Sequence, residues 1–272
     1  EMEINAEVNG KTINKGMLII NHSHIPVQTL FPDSKAKLIR LDTKKVADNI
    51  GYIMGSGDEI PKYLEQLGYN VTALNKNYFV NGKLNDFDAV ITGVRAYNTQ
   101  DELALENQKL LEYVKDGGTL IVQYNVNRGL VTDEIGPYSF EVSRERVTDE
   151  NAPVDFLKKG HQVLNFPNII TQNDFKNWIQ ERGLYFADKW DPKYEAVLST
   201  KDPGETALDG GLLFARYGKG VFIYTGFSWF RQIPAGIPGA YRIFVNLLSA
   251  GKYKSPDSNK DVGSINKSLL SP

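Results

Sequence analysis

Cysteine is absent from this chain of 272 residues, and histidine occurs only three times. Without thiols there can be no disulfide, no thiolate nucleophile, no zinc–thiolate site and no iron–sulfur cluster. Three histidines also make an all-imidazole metal site hard to build. The 31 Lys and Arg residues against 33 Asp and Glu residues give a net charge of -2. This balance argues against the basic surface that is typical of nucleic-acid-binding proteins.

Long apolar runs are missing as well. No run approaches the ~20 residues of a membrane-spanning helix, and no signal peptide opens the chain. The sequence begins at Glu1 without an initiator Met. We therefore expect a fragment or a processed product of a longer protein, with no membrane span and no nucleic-acid partner.

The first segment of the chain is typical of β-structure. Ile4, Ala6 and Val8 alternate with polar residues, and Asn9-Gly10 is a dipeptide favoured in tight hairpin turns. Further apolar runs follow at 17–20 and 36–41. Because about forty residues of strand cannot bury enough surface to fold alone, we predict that residues 1–45 form the end of a β-sandwich.

From Asn49 onward strands and helices alternate. This succession predicts an α/β domain over residues 46–250, with a mostly parallel sheet covered by helices on both faces. Residues 251–272 lack an apolar period and predict a flexible tail. The expected strands are 49–54, 71–74, 88–94, 119–124, 195–200, 211–217 and 221–225, and the expected helices are 59–67, 101–114, 174–182 and 239–249.

Ligands of open parallel sheets bind beyond the carboxyl ends of the strands, and three polar loops follow the predicted strands there. The first ends in Asp58, which either caps the next helix or contacts a ligand. Its Gly55-Ser56-Gly57 lacks the pattern of a nucleotide-binding loop. Tyr124 and Asn125 stand where a nucleophile elbow is expected, but neither is an elbow nucleophile. The loop positions therefore indicate a site without indicating a reaction.

Several residues near these ends are candidate ligand-binding groups. The planar fork of Arg95 suits a carboxylate or sugar hydroxyls, or else forms a structural ion pair. Tyr97 and Asn98 suit carbohydrate, as a stacking face and a hydrogen-bonding amide, or else anchor a loop. Asn125 belongs to the same edge. His161 is a lone loop histidine that either lines the cleft or is structural.

Two further features allow both a functional and a structural interpretation. His22 and His24 share a strand face and could chelate a metal, but no carboxylate follows at a telling spacing. We therefore predict no metal site and no cofactor. The aromatic stretch 227–231 and the Pro- and Gly-rich loop 234–241 either close the core or form an interface or glycan platform.

Four sequence segments together resemble the C-terminal part of large Bacteroidetes-type PIG-L (LmbE-like) deacetylases, and the resemblance covers about residues 20–250. They are 52–58 (YIMGSGD), 93–98 (GVRAYN), 146–150 (RVTDE) and 230–241 (FRQIPAGIPGAY). In that family this part is a flavodoxin-like, class I glutamine-amidotransferase-like domain preceded by a β-sandwich. It is related in fold to the ThuA-like and β-galactosidase trimerisation domains. The resemblance also implies a periplasmic or extracellular location.

The chain departs from the family's chemistry in two respects. The family's zinc site, built on a His-Pro-Asp-Asp motif in a separate N-terminal domain, has no counterpart here. Amidotransferases of this fold use a Cys-His-Glu triad, and this chain has no Cys. The parent protein is thus expected to be a zinc-dependent deacetylase, and this chain to lack its activity.

Three functions follow as hypotheses. The first is a non-catalytic accessory domain of an N-acetyl-sugar deacetylase, which binds glycan or packs against the deacetylase and β-sandwich domains. The second is a ThuA-like sugar-processing hydrolase that uses Asp58, His161 or Glu150 as acid or base. The third is a structural or oligomerisation module.

Overall fold

In the computed structural model, which describes residues 2–254, the chain divides into two compact units. The first is Glu1–Leu41, and the second begins at Asp42. The boundary lies four residues before the end of the segment predicted at 1–45. From residue 255 onward, the tail predicted at 251–272 lies outside the described residues.

The first unit consists of short antiparallel strand pairs. Its strands are β1 (Met2–Glu3), β2 (Ala6–Val8), β3 (Lys11–Ile13), β4 (Leu18–Ile20), β5 (Gln28–Leu30) and β6 (Lys35–Ala36). They pair as β1 with β6, β2 with β3 and β4 with β5. Asn9 and Gly10 have φ values of 53° and 74° and form the expected hairpin turn. The run 36–41 is a strand only at its first residue, and β5 was not anticipated. The β-sandwich origin stays a prediction.

The second unit contains a seven-stranded mixed sheet. The strands of this unit, seven of which form the sheet, are β7 (Asn49–Ile53), β8 (Asn70–Ala73), β9 (Ala89–Thr92), β10 (Thr119–Gln123), β11 (Glu141–Val142), β12 (Arg146–Val147), β13 (Val154–Phe156), β14 (Gly183–Leu184), β15 (Ala187–Asp188), β16 (Glu195–Ala196), β17 (Leu198–Thr200), β18 (Leu212–Tyr217) and β19 (Gly220–Thr225). The sheet order is β16-β18-β19-β10-β9-β7-β8. The five strands from β19 to β8 are parallel, whereas β18 is antiparallel to β19, and β16 to β18.

The parallel strands have a doubly wound order. Numbered along the chain, the five parallel strands lie in the order 2-1-3-4-5, and β7, β9, β10 and β19 are adjacent inner strands of the sheet. Their carboxyl ends meet at one edge, which we call the carboxyl edge. The loops that follow Ile53, Thr92, Gln123 and Thr225 therefore adjoin one another.

Seven α-helices are present among the described residues. They are α1 (Ile60–Gln66), α2 (Lys76–Asn81), α3 (Ala96–Thr99), α4 (Leu103–Lys115), α5 (Gln162–Asn165), α6 (Trp229–Gln232) and α7 (Pro238–Leu248). The predicted helices at 59–67, 101–114 and 239–249 are confirmed as α1, α4 and α7. None of the helices in residues 2–254 has the length and apolar character needed to cross a membrane.

Both faces of the central strands are covered. Leu120 and Val122 of β10 pack in one cluster with Leu110 and Val114 of α4. The intervening Ile121 points to the opposite face and is also fully buried. On that face α7 contacts β10. Burial on both faces explains why these strands are continuous apolar runs in the sequence.

The helix predicted at 174–182 is wrong. Only a 3₁₀ turn at Gln172–Phe175 forms there. Asn177 and Gln180 have positive φ values of 61° and 65°, which end any helix. The Arg182 guanidinium donates to the carbonyl of Phe175, and Trp178 packs in the core. Tertiary contacts of two large side chains thus override the helical pattern.

Candidate functional site

Asp58 joins two loops of the carboxyl edge and is half-buried. Its carboxylate accepts hydrogen bonds from the Tyr52 hydroxyl at 2.7 and 2.8 Å, from the backbone N–H of Ile60 at 3.0 Å and from that of Val94 at 3.3 Å. Both carboxylate oxygens are therefore occupied by hydrogen-bond donors. The N-cap residue of α1 is Glu59 and has no side-chain cap, so Asp58 does not cap the helix as expected. Its carboxylate instead links the turn before α1 to the loop after β9.

The Tyr52 hydroxyl continues this network into the interior. Its one proton is donated to Asp58, so its oxygen accepts from the Gln123 side-chain amide at 3.0 Å. Burial, and next the charge of Asp58, raise the pKa of Tyr52 well above its usual value. The amide is thereby oriented, and the buried Gln123 Oε1 has no hydrogen-bond partner among the described residues. One acceptor beneath the carboxyl edge is thus unsatisfied.

Arg95 occupies the sharp turn between β9 and α3 in a left-handed conformation, with φ 59° and ψ 27°. Its backbone N–H donates to the carbonyl of Tyr124 at 2.9 Å, and its carbonyl accepts from the N–H of Asn98 at 2.9 Å and from the Thr99 hydroxyl at 3.0 Å. These bonds hold a conformation that costs a non-glycine residue free energy. The strained strand-to-helix position expected at Tyr124-Asn125 is therefore at Arg95.

The guanidinium of Arg95 is available to solvent. The residue is exposed, and its side chain makes no hydrogen bond or ion pair with residues 2–254. The structural ion pair considered from the sequence does not form with any of these residues. A planar group with five N–H donors is thus held at the carboxyl edge with its hydrogen-bonding capacity free.

Tyr97, Asn98 and Asn125 are loop anchors in this structure rather than open ligand-binding groups. Tyr97 is fully buried and donates its hydroxyl proton to Asn107 at 2.7 Å. Asn125 is also fully buried, and its side-chain carbonyl accepts from the Tyr97 N–H at 2.9 Å. Asn98 exchanges hydrogen bonds with the backbone of Val126. The amide hydrogen bonds that the sequence indicated at Asn98 and Asn125 are thus made inside the protein.

Three aromatic rings cluster beside Arg95. Tyr124, which directly follows β10, stacks on Tyr185 with ring centroids 5.8 Å apart and planes 9° apart. Phe230 of α6 also packs against Tyr124, with ring centroids 5.4 Å apart and planes tilted by 47°. Tyr185 and Phe230 are half-buried, whereas Tyr124 is 9% exposed. We call Tyr124, Tyr185 and Phe230 the aromatic cluster; it offers ring surface at the carboxyl edge.

Charged groups surround the aromatic cluster. The Arg231 guanidinium lies 4.8 Å from the centre of the Phe230 ring and pairs with Glu181 at 2.7 Å. Burial raises the pKa of the Tyr124 phenol, while the nearby positive charges of Arg95 and Arg231 oppose this shift. The phenol is therefore neutral at physiological pH and keeps its O–H donor. The edge presents ring faces, a phenol and guanidinium donors together.

His161 is not part of this edge. It precedes α5 and packs edge-on against Phe214 of β18, with ring centroids 4.6 Å apart. Its neighbour Arg216 pairs in register with Val221, near the amino end of β19. Burial lowers the pKa of His161 to about 4. The structure thus brings Asp58 and Arg95 to one edge and places His161 elsewhere.

No cluster of three or more His, Asp or Glu side chains suited to a metal ion occurs within residues 2–254. His22 and His24 do lie together, with ring centroids 5.8 Å apart. At the carboxyl edge, the Asp58 carboxylate is occupied by Tyr52 and backbone donors, and the Glu181 carboxylate is paired with Arg231.

The groups that sequence analysis did not select come from distant segments. Tyr185 and Glu181 lie in the irregular region between β13 and β16, where no period marks them. Phe230 and Arg231 belong to the aromatic stretch already noted as a platform or interface. One signal would have directed attention to 181–185. It is the long connection between β13 and β16, which returns to the carboxyl edge.

Comparison with known proteins gives only weak similarity. No family model and no curated protein matches the chain. Among solved structures, a putative GMP synthase component from Thermoplasma acidophilum has a TM-score of 0.46 and 10% identity, covering 77% of this chain and 98% of that one. A cytoplasmic protein from Salmonella typhimurium LT2 has 0.48 and 13%, covering 74% and 98%. A β-galactosidase from Rahnella sp. R3 has 0.44 and 13%, covering 78% of this chain and 32% of the enzyme.

Proposed function

We propose that this chain is a non-catalytic accessory module that binds carbohydrate at the carboxyl edge, as part of a multidomain PIG-L-type N-acetyl-sugar deacetylase. The observation that carries the proposal is Arg95. A guanidinium, which is no nucleophile, occupies the strained turn after the middle parallel strand, and it lies beside the aromatic cluster.

The finer fold is part of this proposal. The parallel-strand order 2-1-3-4-5 is that of flavodoxin-like sheets, which supports a flavodoxin-like domain of the class I glutamine-amidotransferase-like kind. In strand–turn–helix enzymes, a strained residue at the end of a strand is the position of the nucleophile. Arg95 at such a position favours a binding role over an acyl-transfer role.

The same edge has the chemistry of a sugar site. Aromatic rings stack on the apolar faces of sugar rings, and planar donors bind hydroxyls. Tyr185 and Phe230 supply partly exposed ring surface, and Arg95 and the Tyr124 phenol supply donors. An acid–base hydrolase is less favoured, because the Asp58 carboxylate is occupied by backbone and Tyr52 donors.

A sugar-binding screen on wild type and Arg95→Ala tests the proposal. The probes are N-acetylglucosamine, its deacetylated form and short glycans that contain them, measured by isothermal titration or ligand-observed NMR. We expect saturable binding by wild type and a Kd raised by about tenfold in Arg95→Ala, because one charge-assisted hydrogen bond is lost. Arg144→Ala, which removes another exposed guanidinium, is the matched control.

Two outcomes would reject sugar binding at this edge. The first is the absence of binding to any sugar in the screen by correctly folded wild type. The second is binding that Arg95→Ala and Arg144→Ala weaken equally, because the guanidinium would then act only through overall charge.

Domain packing is the second candidate function, favoured by the first unit. Apolar side chains there are strongly exposed, including Met17 (67%), Phe31 (61%) and Leu38 (75%). Exposed apolar groups in such number are typical of surfaces that another protein covers. We propose that the β-sandwich and deacetylase domains of the parent protein cover them. Association of the purified chain with those domains, without sugar binding, would select this function.

A further inference from the structure

A second cleft lies at the antiparallel side of the sheet, remote from the carboxyl edge. It has a volume of about 370 Å³ and is lined by Lys158, His161, Gln162, Glu195, Phe214 and Arg216, among others. Arg216 pairs with Val221 at the amino end of β19, whereas the aromatic cluster adjoins the opposite end of that strand. A volume in this range holds a small ligand.

His161 presents to this cleft a fixed donor that has no acceptor within the described part of the chain. Its Nδ1 accepts from the backbone N–H of Val163 at 3.3 Å, so the neutral ring carries its proton on Nε2. The side chain is only 6% exposed, and Nε2 is 4.0 Å from the nearest Glu195 oxygen. This distance is too long for a hydrogen bond. An almost buried N–H thus faces a carboxylate across a gap.

At 4.0 Å the two atoms are too close for a third atom to lie directly between them, but an oxygen on the cleft side can contact both. An oxygen about 2.8 Å from both Nε2 and the Glu195 oxygen would subtend about 90° between them. A hydroxyl group in that place accepts from His161 and donates to Glu195. This pair of contacts selects a group that is both donor and acceptor.

The cationic side chains of the cleft keep unused donors. The Arg216 guanidinium donates to the Gln162 side-chain carbonyl at 2.6 Å, and buried Gln162 is itself held by the carbonyl of Ala250 at 2.7 Å. Lys158 donates to Glu195 at 2.6 Å. Each contact uses one of the five N–H groups of Arg216 or the three of Lys158. Two cations against one carboxylate leave a net positive charge.

We propose that this cleft binds a small hydroxycarboxylate of the sugar-acid class. Its carboxylate is bound by the planar fork of Arg216 with the Lys158 ammonium, and a hydroxyl bridges His161 Nε2 and Glu195. The proposal does not depend on sugar binding at the carboxyl edge, because the two sites share no residue.

Binding of D-glucuronate to the full chain tests the proposal, with glucose, acetate and inorganic phosphate as comparison ligands. Titration is followed by calorimetry and by the imidazole NMR signals, of which the chain has only three sets. We expect saturable glucuronate binding that shifts the His161 signals, and weaker binding of each comparison ligand. Arg216→Gln is expected to raise the Kd at least about tenfold. His161→Phe keeps the ring contact with Phe214, removes the donor and is also expected to weaken binding.

Arg144→Gln, which removes an exposed guanidinium outside both sites, is the control variant, and it is not expected to change the Kd for glucuronate. Arg216→Lys, which keeps the charge but not the fork, is expected to fall between wild type and Arg216→Gln. Absence of glucuronate binding by wild type would overturn the proposal. Equal binding of acetate or phosphate would also overturn it, because the hydroxyl would then play no part. Loss of binding in Arg95→Ala but not in Arg216→Gln would assign the sugar acid to the carboxyl edge instead.

Discussion

Replacement of Arg95 by glycine and by alanine separates its backbone strain from its side-chain function. Both changes remove the guanidinium, which has no partner within residues 2–254. Only glycine relieves the left-handed conformation at φ 59° and ψ 27°, which costs an L-residue about 1–2 kcal/mol. Part of this gain in stability is offset, because glycine loses more backbone entropy on folding than other residues do. We expect Arg95→Gly to be more stable than Arg95→Ala by about 1 kcal/mol.

Denaturant and thermal unfolding of the two variants measure this difference directly. For a unit of this size, 1 kcal/mol corresponds to a midpoint shift of about 2–4 °C. Arg95→Ala is expected to match wild type closely, since alanine keeps the strain and breaks no side-chain bond. Sugar binding is expected to weaken in both variants. Equal stability of the glycine and alanine variants would refute the argument that residue 95 is strained. A large loss of stability in Arg95→Ala would show that its guanidinium has a structural partner.

The remaining predictions concern two buried groups. Tyr52→Phe removes the hydroxyl that bridges Asp58 and Gln123, and it is expected to lower the free energy of unfolding by about 1–3 kcal/mol in urea titrations; no loss would contradict the network. For His161, burial lowers the folded-state pKa to about 4 from 6.5, so its contribution to stability is complete above pH 6.5 and is lost as the pH falls toward 4. The expected loss in the free energy of unfolding is about 2 kcal/mol after allowance for solvent screening. The matched His161→Phe variant should not show this pH-dependent loss. Parallel pH profiles of stability for wild type and His161→Phe would contradict the prediction.

The position of the carboxyl edge was predictable from sequence, whereas its composition was not. The strand ends after Ile53, Thr92 and Gln123 followed from apolar runs with polar loops behind them, and parallel pairing brings such loops together. Sequence spacing does not say whether a loop side chain faces outward. Tyr97 and Arg95 are two residues apart, yet the first is buried against Asn107 and the second is exposed.

The elements that sequence analysis missed depend on long-range contacts. Tyr185 reaches the edge because its backbone carbonyl accepts from the Tyr224 hydroxyl at 2.6 Å and its ring stacks on Tyr124. The helix expected at 174–182 gives way to buried Trp178 and Arg182. In both cases contacts between residues far apart in the chain stabilise the observed conformation. No local sequence pattern therefore predicts it.

By itself, the sequence determined that the chain has no thiol chemistry and that its main unit is an α/β sheet, because both follow from composition and apolar periodicity. The left-handed Arg95, the aromatic cluster beside it and the separate cleft at His161 were decided only by the tertiary structure. They arise where strand order and loop packing bring distant residues together, and hydrogen bonds from neighbouring loops fix each conformation.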